Sequence, residues 1–279
     1  MFRTLKKPTG FTLIEMIIVI VLLGVISAIL TPFISKAMQA YGASKARSDL
    51  VSKGRLAMER MAREIRHVVP NSLSVLNSGE GIEFARSKFG GRYVEEFDVF
   101  GSEFSQASLR FKKNVTRSGL YILGTGVNNL LSSDVLVIGN SSSAALLAGT
   151  TSVLLTGVND TTLANDGTTK GQILSFANKQ FTVESPGKHF VIADNTIEVG
   201  LDGTDLRWYT NAGLGNYDGA QDWSSSDPLL INGVTAVDFS YASGVSQSTG
   251  VLRIDMELTD GATGESIRLY REIHMRNTP

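Results

Sequence analysis

An apolar run near the N-terminus limits what this chain can fold into more than any other feature. Residues 16–30 read MIIVIVLLGVISAIL, and the neighbouring residues extend the apolar segment to 24 residues, from Phe11 to Ile34. At a rise of about 1.5 Å per residue, a helix of this length crosses a bilayer core of roughly 30 Å. The sequence therefore predicts one membrane-spanning helix.

A cleaved secretory signal is the alternative interpretation of the same run, with AMQA, ending at Ala40, as its cleavage site. Two features weigh against it. The run is longer than the roughly 7 to 15 residues of an ordinary signal core, and Glu15 interrupts its beginning. A carboxylate in hydrocarbon is costly, so we expect this acid to have a partner or a function.

Beyond the apolar run the helical pattern continues to residue 70 but becomes one-sided. Apolar or small residues recur there at spacings of three or four, as on one face of a helix. They are Leu50, Gly54, Ala57, Met61, Ile65 and Val68. Pro32 is expected to kink the helix, because its nitrogen cannot donate a hydrogen bond to the preceding turn. After a short basic leader, the first 70 residues thus predict one long helix.

The formal net charge of −1 conceals an uneven distribution. The first ten residues carry +3, Glu15 adds −1, residues 36–70 carry +5, and the chain from residue 71 onward carries −8. The overall charge argues against bulk nucleic-acid binding. Basic residues flank the apolar run on both sides, so their count does not settle its orientation in a membrane. The chain contains no cysteine, which excludes a disulfide framework and thiol chemistry.

From residue 71 the period of the pattern changes to about two residues, which predicts strands. In VLRIDMELT, residues 251–259, apolar residues alternate with Arg253, Asp255 and Glu257, as in a strand with one wet face. The predicted strands are 81–86, 108–113, 134–139, 180–185, 188–194, 205–210, 236–242, 250–260 and 265–275. Turn residues predict a hairpin at 258–266 and a turn at 185–188, and the polar stretch 141–169 predicts loops around the apolar run SVLLTGV, residues 152–158. We expect an α+β fold in which the helix covers an antiparallel β-sheet body.

Few residues of this body predict a chemical site. The phosphate-binding loop, zinc-protease and nucleophile-elbow motifs are missing from the sequence, and no nucleophile can be paired with a base, which argues against an enzyme. Loop aspartates are weak candidates for calcium ligands, although their spacing does not follow the EF-hand pattern. These are Asp202, Asp205, Asp218 and Asp222. No other cofactor is expected. The nearby aromatic residues either form a sugar-binding or partner-binding face or anchor the core and loops. They are Trp208, Tyr209, Tyr217 and Trp223.

Cleavage between Gly10 and Phe11 gives Glu15 a chemical partner. The new amine of Phe11 is cationic and lies about one helical turn from the carboxylate. In a bundle of staggered helices, the acid can instead pair with the amine of a neighbouring subunit. Either pairing removes much of the penalty of burying each charge.

The segment KKPTGFTLIEMIIVIVLLGVISAILTP, residues 6–32, resembles the leader and hydrophobic helix of type IV prepilins and type II secretion pseudopilins. The shared features are a basic leader ending in Gly10, followed by Phe11, Glu15 and Pro32. The resemblance implies that a prepilin peptidase cleaves after Gly10 and N-methylates Phe11, and that Glu15 and Pro32 serve filament assembly, Glu15 through subunit registration. QFTVES, FVIAD, LRWY and the ending LYREIHMRNTP are similar to MshO-type minor pilins of the mannose-sensitive haemagglutinin pilus and, more distantly, to J-type pseudopilins. Major pilins commonly carry a cysteine pair, which this chain lacks.

The resulting hypothesis is a non-enzymatic minor pilin with four segments. They are a prepilin leader (1–10), a transmembrane and assembly helix (11–34), an amphipathic helix (35–70) and a periplasmic β-rich body (71–279). Its expected partners are other minor and major pilins, the prepilin peptidase and the inner-membrane assembly platform, with no nucleic acid. It is expected in the inner membrane as a single-pass protein and then in the filament, including its tip. Two other functions stay open: a tip adhesin that uses residues 208–223, and a minor pseudopilin of a type II secretion system.

Overall fold

The computed structural model describes residues 10–95, 109–162, 170–243 and 250–275. Its first element is a single helix, α1 (Leu13–Ile65), of 53 residues. The buried residues of α1 all lie in its second half and form one stripe. They are Leu50, Gly54, Ala57, Met58, Met61, Ala62 and Ile65. The predicted long helix with a one-sided second half is confirmed, and Met58 and Ala62 widen the predicted stripe.

Helix α1 ends at Ile65, five residues before the predicted end at residue 70. The following backbone pairs with a strand instead of continuing the helix. The amide of Val69 donates to the carbonyl of Ala85 (2.9 Å), and the carbonyl of His67 accepts from the amide of Ser87 (2.6 Å). Pro70 then keeps the helix from resuming at Val69, because the residue before a proline is disfavoured in the helical region.

The body contains twelve strands within the described residues. They are β1 (Ser74–Leu76), β2 (Gly81–Arg92), β3 (Thr116–Leu123), β4 (Val135–Ile138), β5 (Ser152–Thr162), β6 (Lys170–Gln180), β7 (His189–Asp202), β8 (Asp205–Ala212), β9 (Leu229–Asn232), β10 (Val234–Ala242), β11 (Gly250–Thr259) and β12 (Ser266–Met275). A 3₁₀ turn (Asn77–Gly79) and a short helix, α2 (Ser143–Leu147), lie between strands. Every ladder between these strands is antiparallel.

The strands form two sheets. The larger has nine strands, in the order β1-β2-β7-β4-β5-β6-β3, with β8 on β7 and β9 on β8. The smaller has the order β10-β11-β12. Within this order, the six strands β2-β7-β4-β5-β6-β3 begin and end close together, because Tyr93, just after β2, forms a bridge with Ile122 of β3. Six strands of the large sheet thereby curve around an interior.

Two main hydrophobic cores result. In the first, the stripe of α1 packs on apolar residues of both sheets, including Phe84 of β2 and Ile254 of β11. In the second, the curved strands enclose aromatic residues, among them Tyr93, Phe176 and Phe190. The fold class predicted from sequence, a long helix packed on an antiparallel β-sheet body, is confirmed.

Several local predictions were wrong. Residues 109–113 are not a strand, although Phe111 makes one isolated bridge with Glu95; residue 108 lies outside the described residues. Residues 181–185 are irregular because Phe181 enters the second core and the amide of Ser185 donates to the Tyr93 hydroxyl (3.1 Å) instead of to a strand. In the region 141–169, the predicted loop before SVLLTGV contains α2, and SVLLTGV itself begins β5, which continues to Thr162 and pairs with strands on both sides. Residues 163–169 lie outside the described residues.

The two predicted reversals are confirmed. At 185–188 the amide of Lys188 donates to the carbonyl of Ser185 (2.9 Å), which closes the turn. At 258–266 the hairpin joins β11 to β12, and Asp260 organises it by accepting from the amide and hydroxyl of Thr263 (2.9 and 2.7 Å).

Candidate functional site

The N-terminal end of α1 is built around a helix cap. Thr12 has an extended backbone, and its hydroxyl accepts from the amide of Glu15 (3.3 Å). Glu15 therefore occupies the third position of the helix, where a carboxylate interacts favourably with the unpaired amides and with the helix dipole. Gly10 and Phe11 precede this cap and are exposed. The sequence analysis missed Thr12, although Thr-x-x-Glu before an apolar run is a recognised helix-start signal.

The first half of α1 contacts no other part of the described body. Every residue from Gly10 to Tyr41 is exposed, and these include Phe11, with 75% of its surface accessible, and Met38, with 68%. The helix is long and apolar enough to cross a membrane by its length and composition. The only charged residues between Phe11 and Ile34 are Glu15 and the new amine that cleavage would create at Phe11. This apolar surface thus needs a cover that the described residues of the body do not supply.

Helix α1 continues through Pro32 without interruption. Pro32 cannot donate to the carbonyl of Ala28, and the hydroxyl of Thr31 donates to the adjacent carbonyl of Ser27 (2.7 Å). Hydroxyl groups of this kind help to satisfy backbone groups near a proline in a membrane helix. The proline therefore does not end the helix, and the kink expected at this position stays a prediction.

A second candidate site lies on the face of the large sheet that points away from α1. Glu83 of β2 and Glu198 of β7 are directly opposite one another in the ladder, and both side chains are buried. Neighbouring residues on the same two strands, such as Ile82 and Val199, point into the core under α1. Because successive side chains of a strand alternate between faces, the two glutamates share the opposite face.

Residues 213–228, which we call the strap, cover these two glutamates. The carboxylate of Glu83 accepts from the amides of Asp218 (3.0 Å) and Gly219 (3.1 Å). The carboxylate of Glu198 accepts from the amide of Asp222 (2.8 Å). The strap therefore attaches to the sheet through its backbone, with the glutamates as acceptors.

Aromatic residues hold both parts of the strap against the sheet. Trp223 lies over Gly81 and Gly200, which face each other in the β2–β7 ladder, and a Cβ on Gly200 would lie within 2.0 Å of the indole. Its indole nitrogen donates to the carbonyl of Leu201 (3.2 Å). The hydroxyl of Tyr217 donates to the carbonyl of Ser72. The two glycines are needed because any side chain would displace the indole.

Burial changes the acid–base properties of this region. Desolvation raises the pKa of Glu83 to about 7, although the amides of Asp218 and Gly219 act in the opposite direction. Desolvation likewise raises the pKa of Glu198 to about 7, and the nearby charges of Asp222 and Glu83 raise it further. Burial also raises the pKa of Tyr217. Removing a carboxylate from water disfavours its charged form, which is the common cause.

The aspartates predicted as weak calcium ligands are divided between two places. Asp202 and Asp205 face each other at the end of the β7–β8 hairpin, where Asp205 pairs with Arg207. Asp218 and Asp222 lie in the strap, where their side chains accept from the amide of Ala220 and the amide group of Asn216 (both 2.8 Å). Among the described residues, no three His, Asp or Glu side chains converge on a possible metal position. Calcium binding stays a prediction without a converged set of ligands.

Three of the four aromatic residues between positions 208 and 223 are buried. Trp208 packs in the core under α1, and Tyr217 and Trp223 anchor the strap. Only Tyr209 is partly accessible, and its hydroxyl accepts from Asn216 (2.8 Å). Of the two interpretations of these residues, core packing and loop anchoring agree with the structure.

A long helix with a free apolar half and a second half packed on an antiparallel sheet is a pilin-like architecture. A family model of the prokaryotic N-terminal methylation motif matches residues 5–31. The matched residues include Gly10, Phe11 and Glu15 and end one residue before Pro32. The motif supports a type IV pilin-like or pseudopilin-like protein, a class that is structural, not enzymatic, and a single-pass membrane anchor. Comparison with curated proteins and with solved structures gives no match to this chain.

Proposed function

We propose that this chain is a minor pilin that primes or caps the assembly of a type IV filament of the mannose-sensitive haemagglutinin type. A prepilin peptidase cleaves it after Gly10 and methylates the amine of Phe11. The mature chain waits in the inner membrane, with its body in the periplasm, until the assembly platform extracts it. It then joins other minor and major pilins in the filament, including the tip.

The main observation that supports this proposal is the uncovered first half of α1. Its apolar residues surround the helix, whereas those of the second half, apart from the exposed Leu56, form one stripe that the body covers. A bilayer covers such a surface before extraction, and a bundle of neighbouring pilin helices covers it afterwards. The two environments differ in what they offer Glu15, because only the bundle brings a cationic amine from another chain.

Glu15 has two separable effects in this proposal. Its charge pairs with the amine of a neighbouring subunit, and its position also favours the start of α1 through the cap formed with Thr12. Replacing Glu15 by alanine removes both effects. Replacing Thr12 by alanine removes the side-chain cap and keeps the charge, so it is the matched control.

The experiment compares Glu15→Ala with Thr12→Ala in cells that assemble the filament. We expect both variants to reach the membrane and to be cleaved. Only Glu15→Ala should be depleted from sheared filaments, by about tenfold or more, because it removes one partner of a buried charge pair. Quantitative immunoblots measure the depletion, and intact mass measures processing. Normal incorporation of Glu15→Ala would refute the role given to the carboxylate.

The intact mass of the mature wild-type chain tests the class itself. A chain that starts at methylated Phe11 agrees with the proposal. A chain that starts at Tyr41 is a secreted protein released from a signal sequence, and a chain that keeps Met1 is a plain membrane anchor. Either of the last two results would overturn the proposal.

A further inference from the structure

The attachment of the strap depends on two acids that have no cationic partner in the part of the chain that the structure describes. Within the described residues, neither Glu83 nor Glu198 forms an ion pair with Lys or Arg. Both side chains are almost fully removed from solvent, with 1% and 0% of their surface accessible. A buried carboxylate without a counterion is costly when ionised, and the same group is tolerated when it carries a proton.

The groups that face the two acids add to this cost. Glu83 faces Ser74 of β1, Glu198 of β7, and Tyr217 and Asp218 of the strap. Glu198 faces Glu83 of β2, Tyr209 of β8 and Asp222 of the strap. All the ionisable groups in both sets are neutral or negative, so among the described residues no change of pH places a positive charge beside the two acids.

The hydrogen bonds of Glu198 agree with a protonated state. Its Oε2 accepts from the amide of Asp222, whereas its Oε1 is buried and has no hydrogen bond of good geometry within the described residues, although the amide of Trp223 acts to lower the pKa of this carboxyl. A charged oxygen in that position loses its hydration and gains little in return. A proton on one oxygen removes the charge and leaves the other free to accept from the amide of Asp222.

We propose that the strap is a pH-sensitive cover of the sheet, closed while Glu83 and Glu198 are protonated and loosened when both carboxyls ionise. Loosening removes Trp223 from the Gly81–Gly200 pair and Tyr217 from Ser72. The face of β2 and β7 that carries the glutamates then becomes accessible, while the core under α1 stays packed. This response is independent of filament assembly.

The direction and range of the pH response follow from the pKa values. Both pKa values are raised, from about 4.5 in an open strap to about 7 in the closed one. The closed strap is therefore most stable below about pH 4.5 and loses stability as pH rises to about 7. Above that range both forms are ionised, and the closing equilibrium stops changing.

Hydrogen exchange of the full chain in detergent micelles tests the proposal. We expect the protection factors of the amides of Asp218, Gly219 and Asp222 to fall by about tenfold or more between about pH 5 and about pH 7.5. Amides of the β10–β11 ladder serve as an internal reference and are expected to change little. A constant protection of the strap over this range would overturn the proposal.

Variants then identify the groups responsible. Glu83→Gln and Glu198→Gln, singly and together, keep an acceptor oxygen and remove the ionisation. We expect the double variant to keep a closed strap at both pH values. Glu59→Gln, the same change on the exposed face of α1, is expected to keep the wild-type pH response. A double variant that opens with pH as the wild type does would refute the assignment to these two acids.

Discussion

The two halves of α1 are one continuous helix with opposite surroundings. From Leu13 to Met38 the large apolar side chains are exposed on all sides, whereas from Leu50 to Ile65 most of them form one buried stripe and Leu56 is exposed. No interruption separates the halves, even at Pro32. The halves differ in where the apolar residues lie around the helix axis. In the first half they lie on every side, and in the second half they are concentrated on one face.

This difference shows how one helix can serve two partners. A stripe of apolar residues fits the surface of a sheet and leaves a wet face, as the exposed Arg55, Glu59 and Arg63 demonstrate. An apolar surface on every side cannot be covered by one sheet and requires lipid or several neighbouring helices. The second half therefore stabilises the body, and the first half remains available for the membrane or an assembly.

The largest expected effect comes from shortening a buried methionine. Met61 is fully buried under the sheets, so Met61→Ala should lower the free energy of unfolding of the body by about 2–5 kcal/mol. Met38→Ala, in the uncovered half, should leave it unchanged. Chemical denaturation in detergent, followed by the fluorescence of the two buried tryptophans, measures both. Equal effects of the two substitutions would contradict the division of the helix.

A smaller effect is expected where a glycine allows close packing. A Cβ at Gly54 would lie 2.3 Å from Cδ1 of Leu269 and 2.7 Å from Cδ1 of Leu258. Gly54→Leu should therefore destabilise the body by about 1–3 kcal/mol through overpacking. Gly42 has no neighbouring atom within 4 Å of such a Cβ, so Gly42→Leu is the matched control without this penalty. The same denaturation measurement gives the free energy of unfolding of both variants. A Gly54→Leu body that is as stable as the wild type, or more stable, would contradict the prediction.

The smallest effect is expected for the surface ion pair between α1 and the β11–β12 hairpin. Arg47 contacts Glu265 at 3.0 Å, but its side chain is largely exposed. Arg47→Ala should cost less than about 1 kcal/mol, and added salt should reduce this cost further. Arg55→Ala is the matched control, because it removes an exposed charge that has no ion pair among the described residues. A loss of several kcal/mol for Arg47→Ala alone would show that the pair orients the helix on the body.

Sequence periodicity predicted the elements that have one dry face. Both the stripe of α1 and the β11–β12 hairpin follow the predicted spacing, because each element buries a single face. Strands β3 and β6 were missed. Strand β3 pairs with β6, and β6 pairs with β5 on its other side. The position of β3 therefore depends on residues that are distant from it in the sequence. Polar residues such as those of β5 are tolerated in a strand once neighbours on both sides complete its hydrogen bonds.

The two candidate sites, the N-terminal end of α1 and the glutamate pair under the strap, also differ in how far the sequence predicts them. Gly10, Phe11, Glu15 and Pro32 form a local pattern, and the cap at Thr12 was also present in the sequence as Thr-x-x-Glu. Glu83 and Glu198 sit at polar positions of alternating strands, which by itself predicts exposure. Their burial results from the strap, whose amides at Asp218 and Gly219 are more than a hundred residues beyond Glu83 in the chain.

The sequence by itself determined the long helix, its change from an apolar rod to a one-sided face, and the antiparallel nature of the body. These properties follow from the spacing of residues close together in the chain, where helix and strand geometry is enough. Only the tertiary structure decided the joining of the two sheets under α1, the curved second core and the burial of two acids beneath the strap. Each of these features forms where segments that are far apart in the sequence meet in space. No local sequence pattern therefore encodes the change in solvent exposure that results.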